Sequence, residues 1–153
     1  MIFVTVGTQL PFPRLVDAMD KIAGQLLEPV VAQTFDAHKC RNLIVEPMIP
    51  AERYGRVVSR ARLVVSHAGI GTVLAARDVG TPVVLVPRRA ELGEHRNDHQ
   101  MSTVRELVGR SGITPIWNTD RLGEAIAQPV DLLDQPSNPT LDDLVSRLRS
   151  FIG

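Results

Sequence analysis

Two stretches of this sequence place chemically capable residues at useful spacings. Residues 63–72 read LVVSHAGIGT: an apolar run, then Ser66 and His67, then Gly69, Gly71 and Thr72. If the run is a buried strand and a helix opens behind it, the glycines let a phosphate approach the backbone. The helix N-terminus then supplies free N–H groups and partial positive charge. That dipole is worth about 0.3–1 kcal/mol per exposed charge and up to ~2 kcal/mol when partly buried. A histidine at the junction can add an N–H donor to the same anion. The plainer reading makes His67 a hydrogen-bonded core residue and the glycines a tight strand–helix turn. The dinucleotide fingerprint G-x-G-x-x-G is not met: Leu74 stands at its third glycine, and the turn Gly7-Thr8-Gln9 after the first apolar run has a single glycine.

The second stretch, residues 87–100 (PRRAELGEHRNDHQ), follows another apolar run and is dense in charge. It reads either as a solvated loop and helix start or as a second wall of the same site. His95 and His99 stand at i, i+4, but HRNDH lacks the glutamate of H-E-x-x-H, and a third ligand would have to come from His67 or elsewhere. No metal is expected. Asp98 and Gln100 offer the mixed donors and acceptors that sugar hydroxyls need.

Apolar runs at residues 2–6, 30–35, 43–48, 63–66, 82–86 and 113–117 predict six strands. Helical spacing predicts helices over 13–26, 51–61, 72–79, 96–108, 122–127 and 141–151, the fifth capped by Thr119. Strands apolar on both faces and alternating with helices imply a single doubly wound, mainly parallel α/β sheet, Rossmann-like, covered on both sides. Ligands bind such sheets at the carboxyl ends of the strands, where both marked loops fall. The 153 residues read as one domain, with 128–139 a linker-like stretch to the last helix.

Composition narrows the classes. Lys plus Arg and Asp plus Glu number 17 each, so no net field draws the chain to nucleic acid. Cys40 is the one cysteine, which excludes an internal disulfide and a Cys cluster for zinc. The start MIFVTVGT lacks the basic region of a signal peptide, and the longest uncharged run, residues 63–76, is too short and polar to span a bilayer. A cytoplasmic location is expected.

The segments MIFVTVGTQLPFPRLVDAM, VVSHAGIGTVLAARDVGTPVVLVPR and GEHRNDHQ, in that order, resemble the glycosyltransferase family 28 C-terminal domain, the donor-binding half of a GT-B enzyme. Within it the chain is similar to the small soluble subunit of split bacterial exopolysaccharide and capsule transferases. It is also similar to the catalytic subunit of the two-part eukaryotic enzyme that adds the second N-acetylglucosamine to dolichol.

The resemblance implies a site. Gly7 and Thr8 match the first glycine loop; Ser66, His67, Gly69, Gly71 and Thr72 match the diphosphate loop, with His67 stabilising the leaving group. His99 and Gln100 match the residues that hold the donor sugar, and Met48 and Ile49 lie near where the family encloses uracil. Many relatives carry a glutamate for the ribose eight residues after the histidine; here that position is Ala75, and Asp78 lies one turn further along the helix.

The implied function is an inverting transfer from a UDP-sugar, a substrate rather than a cofactor, to a lipid-linked or growing polysaccharide acceptor. A membrane-anchored partner subunit would supply the acceptor domain and the general base, holding this chain at the inner face of the plasma membrane. Leu10 and Phe12 are a candidate contact for it, with core packing the other reading of Phe12. The alternatives are a non-catalytic nucleotide-sugar-binding or activating subunit, and a nucleotide-dependent enzyme unrelated to sugars.

Overall fold

All six apolar runs form strands: β1 (Ile2–Thr5), β2 (Val30–Gln33), β3 (Ile44–Glu46), β4 (Leu63–His67), β5 (Val83–Val86) and β6 (Ile113–Pro115). The helices are α1 (Pro13–Ala23), α2 (Ala51–Arg60), α3 (Ile70–Val79), α4 (His99–Leu107) and α5 (Leu122–Ala127). The computed structural model describes residues 1–128 together with Asp131 and Ser146. The expected linker over 128–139 and helix over 141–151 therefore lie outside the described residues, those three positions apart.

The strands pair in parallel in the order β3-β2-β1-β4-β5-β6, with Thr5 opposite both Gln33 and Ser66. Alternation sorts their side chains between two layers. Ile2, Val4, Val65 and Val84 pack with Leu15 and Met19 of α1 and Ile126 of α5. Phe3, Val64, Val83 and Leu85 pack on the other face with Val58 of α2, Val73 of α3 and Val104 of α4. Burial of each such side chain contributes about 1.5–3 kcal/mol. Both faces being covered, the strands carry near-continuous apolar runs, the pattern the sequence shows.

Several boundaries differ from expectation: α1, for one, ends at Ala23 rather than at residue 26. α3 starts at Ile70, because Gly69 in extended conformation (ψ 130°) already serves as its N-cap. α4 starts only at His99: a short 3₁₀ turn at Ala90–Leu92 and side-chain bonds hold the residues before it. Asn118, not Thr119, caps the turn before α5, its side chain accepting from the Asp120 N–H at 3.1 Å. Strand order reverses direction between β1 and β4, so the loops after these strands part and leave a crevice at their carboxyl ends.

Candidate functional site

β4 delivers His67 to that crevice, and two glycines make room for its ring. Gly7 has φ +80°, and a Cβ there would stand 2.7 Å from His67 Cε1. A Cβ on Gly69 would stand 2.2 Å from His67 Nε2. The imidazole thus lies between the loop after β1 and the entry to α3, with the buried Ser66 hydroxyl 3.2 Å from its Nδ1. Burial, then the Arg88 charge and more weakly that of His95, push the His67 pKa down to about 4, against a hydrogen bond to the Thr5 carbonyl. His67 is therefore neutral at neutral pH, a hydrogen-bonding ring rather than a cation.

Gln33 and Arg88 fix the loop after β1. The Gln33 amide donates to Gly7 O (3.1 Å) and Thr5 Oγ1 (3.3 Å), and its oxygen accepts from the Ile49 N–H (2.9 Å). Arg88 is 2% exposed, and its guanidinium donates to the carbonyls of Val6 (2.9 Å), Leu10 (2.8 Å) and Pro11 (2.6 Å) while lying 4.6 Å from the Phe12 ring centroid. Burial pulls its pKa down to about 10, although Glu94 opposes this. Arg14 grips Glu94 through two bonds of 2.6 and 2.9 Å, and Glu94 also accepts from the Arg89 N–H at 2.9 Å. The loop before α4 and the loop after β1 are thereby one framework. Phe12 is core, while Leu10 is 41% exposed.

These walls enclose a cavity of about 960 Å³. Its lining includes His67, His95, His99, Arg88 and Arg96 and, among the described residues, no carboxylate. The first turn of α3 opens into it at Ile70, Gly71 and Thr72, with the Thr72 hydroxyl 3.0 Å from that of Tyr54. Gln100 turns its oxygen to the backbone N–H groups of Ala68 (3.2 Å) and Arg88 (3.0 Å), which leaves its amide nitrogen for the cavity side. Such a lining attracts anions: helix N–H groups, a buried guanidinium and the neutral His67 ring face a space into which none of the described residues brings a negative side chain.

Of the residues expected from sequence, Gly7, Thr8, Ile49, His67, Gly69, Gly71, Thr72, His99 and Gln100 all line the cavity. Ser66 lies behind His67 instead, and Met48 points away, 46% exposed, where the chain leaves β3. Ala75 lines the cavity one turn beyond Thr72, while Asp78 is exposed and outside it. Asp98 is occupied, accepting from the Ala90 N–H at 3.0 Å. Gln33, Tyr54 and His95 are lining residues that sequence reasoning did not assign a role. A polar Gln33 inside an otherwise apolar strand is a signal for the first, and the i, i+4 pairing with His99 marks His95 only as a metal ligand to be set aside. Among the described residues no three His, Cys, Asp or Glu side chains gather to hold a metal ion, and no helix is long and apolar enough to cross a membrane.

An all-parallel doubly wound sheet with a cavity at its switch point is the architecture in which open α/β domains bind their ligands. The chain belongs to the glycosyltransferase family 28 C-terminal domain family, whose sequence model matches residues 1–136. A curated relative, the UDP-N-acetylglucosamine--N-acetylmuramyl-(pentapeptide) pyrophosphoryl-undecaprenol N-acetylglucosamine transferase of Granulibacter bethesdensis, is 28% identical over 107 residues, 63% of this chain and 27% of that protein. The crystal structure of Acinetobacter baumannii MurG superposes with TM-score 0.59 at 19% identity, over 97% of this chain and 44% of that one. The solution structure of ALG13 gives TM-score 0.59 at 17% identity, covering 94% of both chains. At these identities the two structures share the fold. The chain spans about a quarter of the curated relative's length and nearly all of ALG13's.

Proposed function

We propose that this chain is the donor-binding part of an inverting glycosyltransferase. It holds a UDP-sugar in the switch-point cavity, and a separate membrane-anchored chain supplies the acceptor side at the cytoplasmic face of the membrane. The observation that carries this reading is the lining itself: histidines, two arginines and a helix N-terminus, with no carboxylate among the described residues. The curated relative's name pairs a UDP-sugar donor with an undecaprenol-linked acceptor, which supports the same two substrate classes here.

In this reading the diphosphate rests on the first turn of α3, where Gly71 leaves the backbone approachable, and its charge favours a doubly protonated His67 that keeps its bond to the Thr5 carbonyl and donates its second N–H to the diphosphate. Charge grows on the diphosphate as the glycosidic bond breaks, so donors fixed there stabilise the transition state more than the ground state. Ile49, with the Tyr54 ring, walls the base side; Ala75 faces the ribose without a charge; the Gln100 amide and His99 face the sugar. In an inverting displacement the acceptor oxygen arrives opposite the leaving group. The lining described here surrounds the leaving group, so the general base, worth ~10²–10⁴-fold, is assigned to the facing chain.

Heat denaturation tests the ligand. UDP and UDP-N-acetylglucosamine at ~100 times their dissociation constants are expected to add about 2.7 kcal/mol of stability, and NAD none. A shift with NAD and none with UDP would overturn the donor reading. Transfer to a lipid-linked acceptor is expected to be negligible for the purified chain and to appear on adding membranes that contain the partner. Robust transfer by the chain alone would remove the two-chain arrangement. A reconstituted pair whose rate ignores His67→Ala would make this chain an activating subunit instead.

A further inference from the structure

We propose that Tyr54 is a positioning residue: its hydroxyl donates to Thr72 Oγ1 and so presents the Thr72 hydroxyl to the cavity as a fixed donor for the diphosphate. The inference deepens the donor-site reading and rests on it.

The direction follows from the two hydroxyls themselves. A phenol is the stronger acid and so the better donor, while an aliphatic hydroxyl, with two lone pairs and one proton, is the better acceptor. The Tyr54 hydroxyl therefore gives its proton to Thr72 Oγ1, 3.0 Å away. Thr72, having accepted, keeps its proton for the cavity, in the first turn of α3.

The tyrosine is well placed to hold this direction. Its ring meets Phe3 edge-on at 5.6 Å, and burial raises its pKa, so it stays a protonated phenol. An acceptor-only group complements a donor fixed in this way. Phosphate oxygens are acceptors only, and they are the anion the same helix turn favours.

Calorimetric titration of the full chain with UDP and with uridine tests this. Thr72→Val is expected to weaken UDP binding about 10-fold or more, and Tyr54→Phe roughly 3- to 10-fold, the range for one charge-assisted hydrogen bond and its partial loss. The double variant should bind UDP no more weakly than Thr72→Val alone, Thr72→Ser should stay near the parent, and uridine affinity should not change. A purely structural role for Tyr54 would give losses that multiply with Thr72→Val, or would weaken uridine along with UDP; either result overturns the proposal. Should Tyr54→Phe not fold, 4-fluorophenylalanine incorporated at position 54 fills the place of the hydroxyl without a proton and is held to the same outcomes. A parent chain that binds no UDP refutes the donor reading and this inference with it, and that is seen before any variant is made.

Discussion

Replacing Arg88 with alanine is expected to destabilise the domain by about 3–4 kcal/mol. The substitution strands the carbonyls of Val6, Leu10 and Pro11, which the guanidinium reaches at 2.6–2.9 Å, and opens a void against Phe12. An unpaired buried acceptor costs about 1–3 kcal/mol, so the gross loss is larger than the net. Part is recovered, because the burial that pulls the Arg88 pKa down to about 10 is itself a cost that alanine removes. The bonds win because three acceptors depend on one side chain. For a domain of this size the melting temperature should fall by roughly 10 °C. Urea unfolding measures it directly, and a loss under about 1 kcal/mol would mean that water replaces the guanidinium without penalty.

His67→Ala is expected to weaken UDP binding by about 1.5–3 kcal/mol, roughly 10- to 150-fold, as for a hydrogen bond to a charged group. The same variant should lose a pH dependence of stability. In the folded chain His67 titrates at about 4, well below the ordinary value of 6.5. Between these values the unfolded chain binds a proton that the folded chain does not, so stability is fully present above 6.5 and is lost as pH falls through 4. The shift corresponds to about 3 kcal/mol at its limit. Urea midpoints at pH 7.5 and 4.5 should therefore draw together in the variant. Equal sensitivity in both proteins would place the acid-labile group elsewhere, and unchanged UDP affinity would return His67 to a core role.

The strands were legible because a sheet buried on both faces demands apolar residues at every position, a local pattern that tertiary context strengthens. His67 was legible for a related reason: a histidine between an apolar run and Gly-x-Gly breaks the pattern at a strand's end. Arg88 was not, since a solvated arginine and a buried one that clamps carbonyls read alike in one dimension. Its role exists only once residues 6–11 arrive beside it. Tyr54 reads as one residue on a polar helix until Phe3 and Thr72 bracket it. Asp98 shows the reverse failure, because its ligand-like chemistry is consumed by the Ala90 N–H. Local composition thus locates the loops but does not tell which polar groups in them remain available.

The bonds that tie the two walls of the cavity together join residues 73 to 82 positions apart. Loops of that length must close before any of these bonds can repay the lost chain entropy, and contacts so distant along the chain slow folding. The pocket is therefore a late event in folding, and no fragment that ends before β5 can possess it. Its opening requires much of the sheet to open as well, so a bound nucleotide should protect amides by suppressing global rather than local unfolding. For this domain, competence to bind and completion of the fold are one cooperative transition.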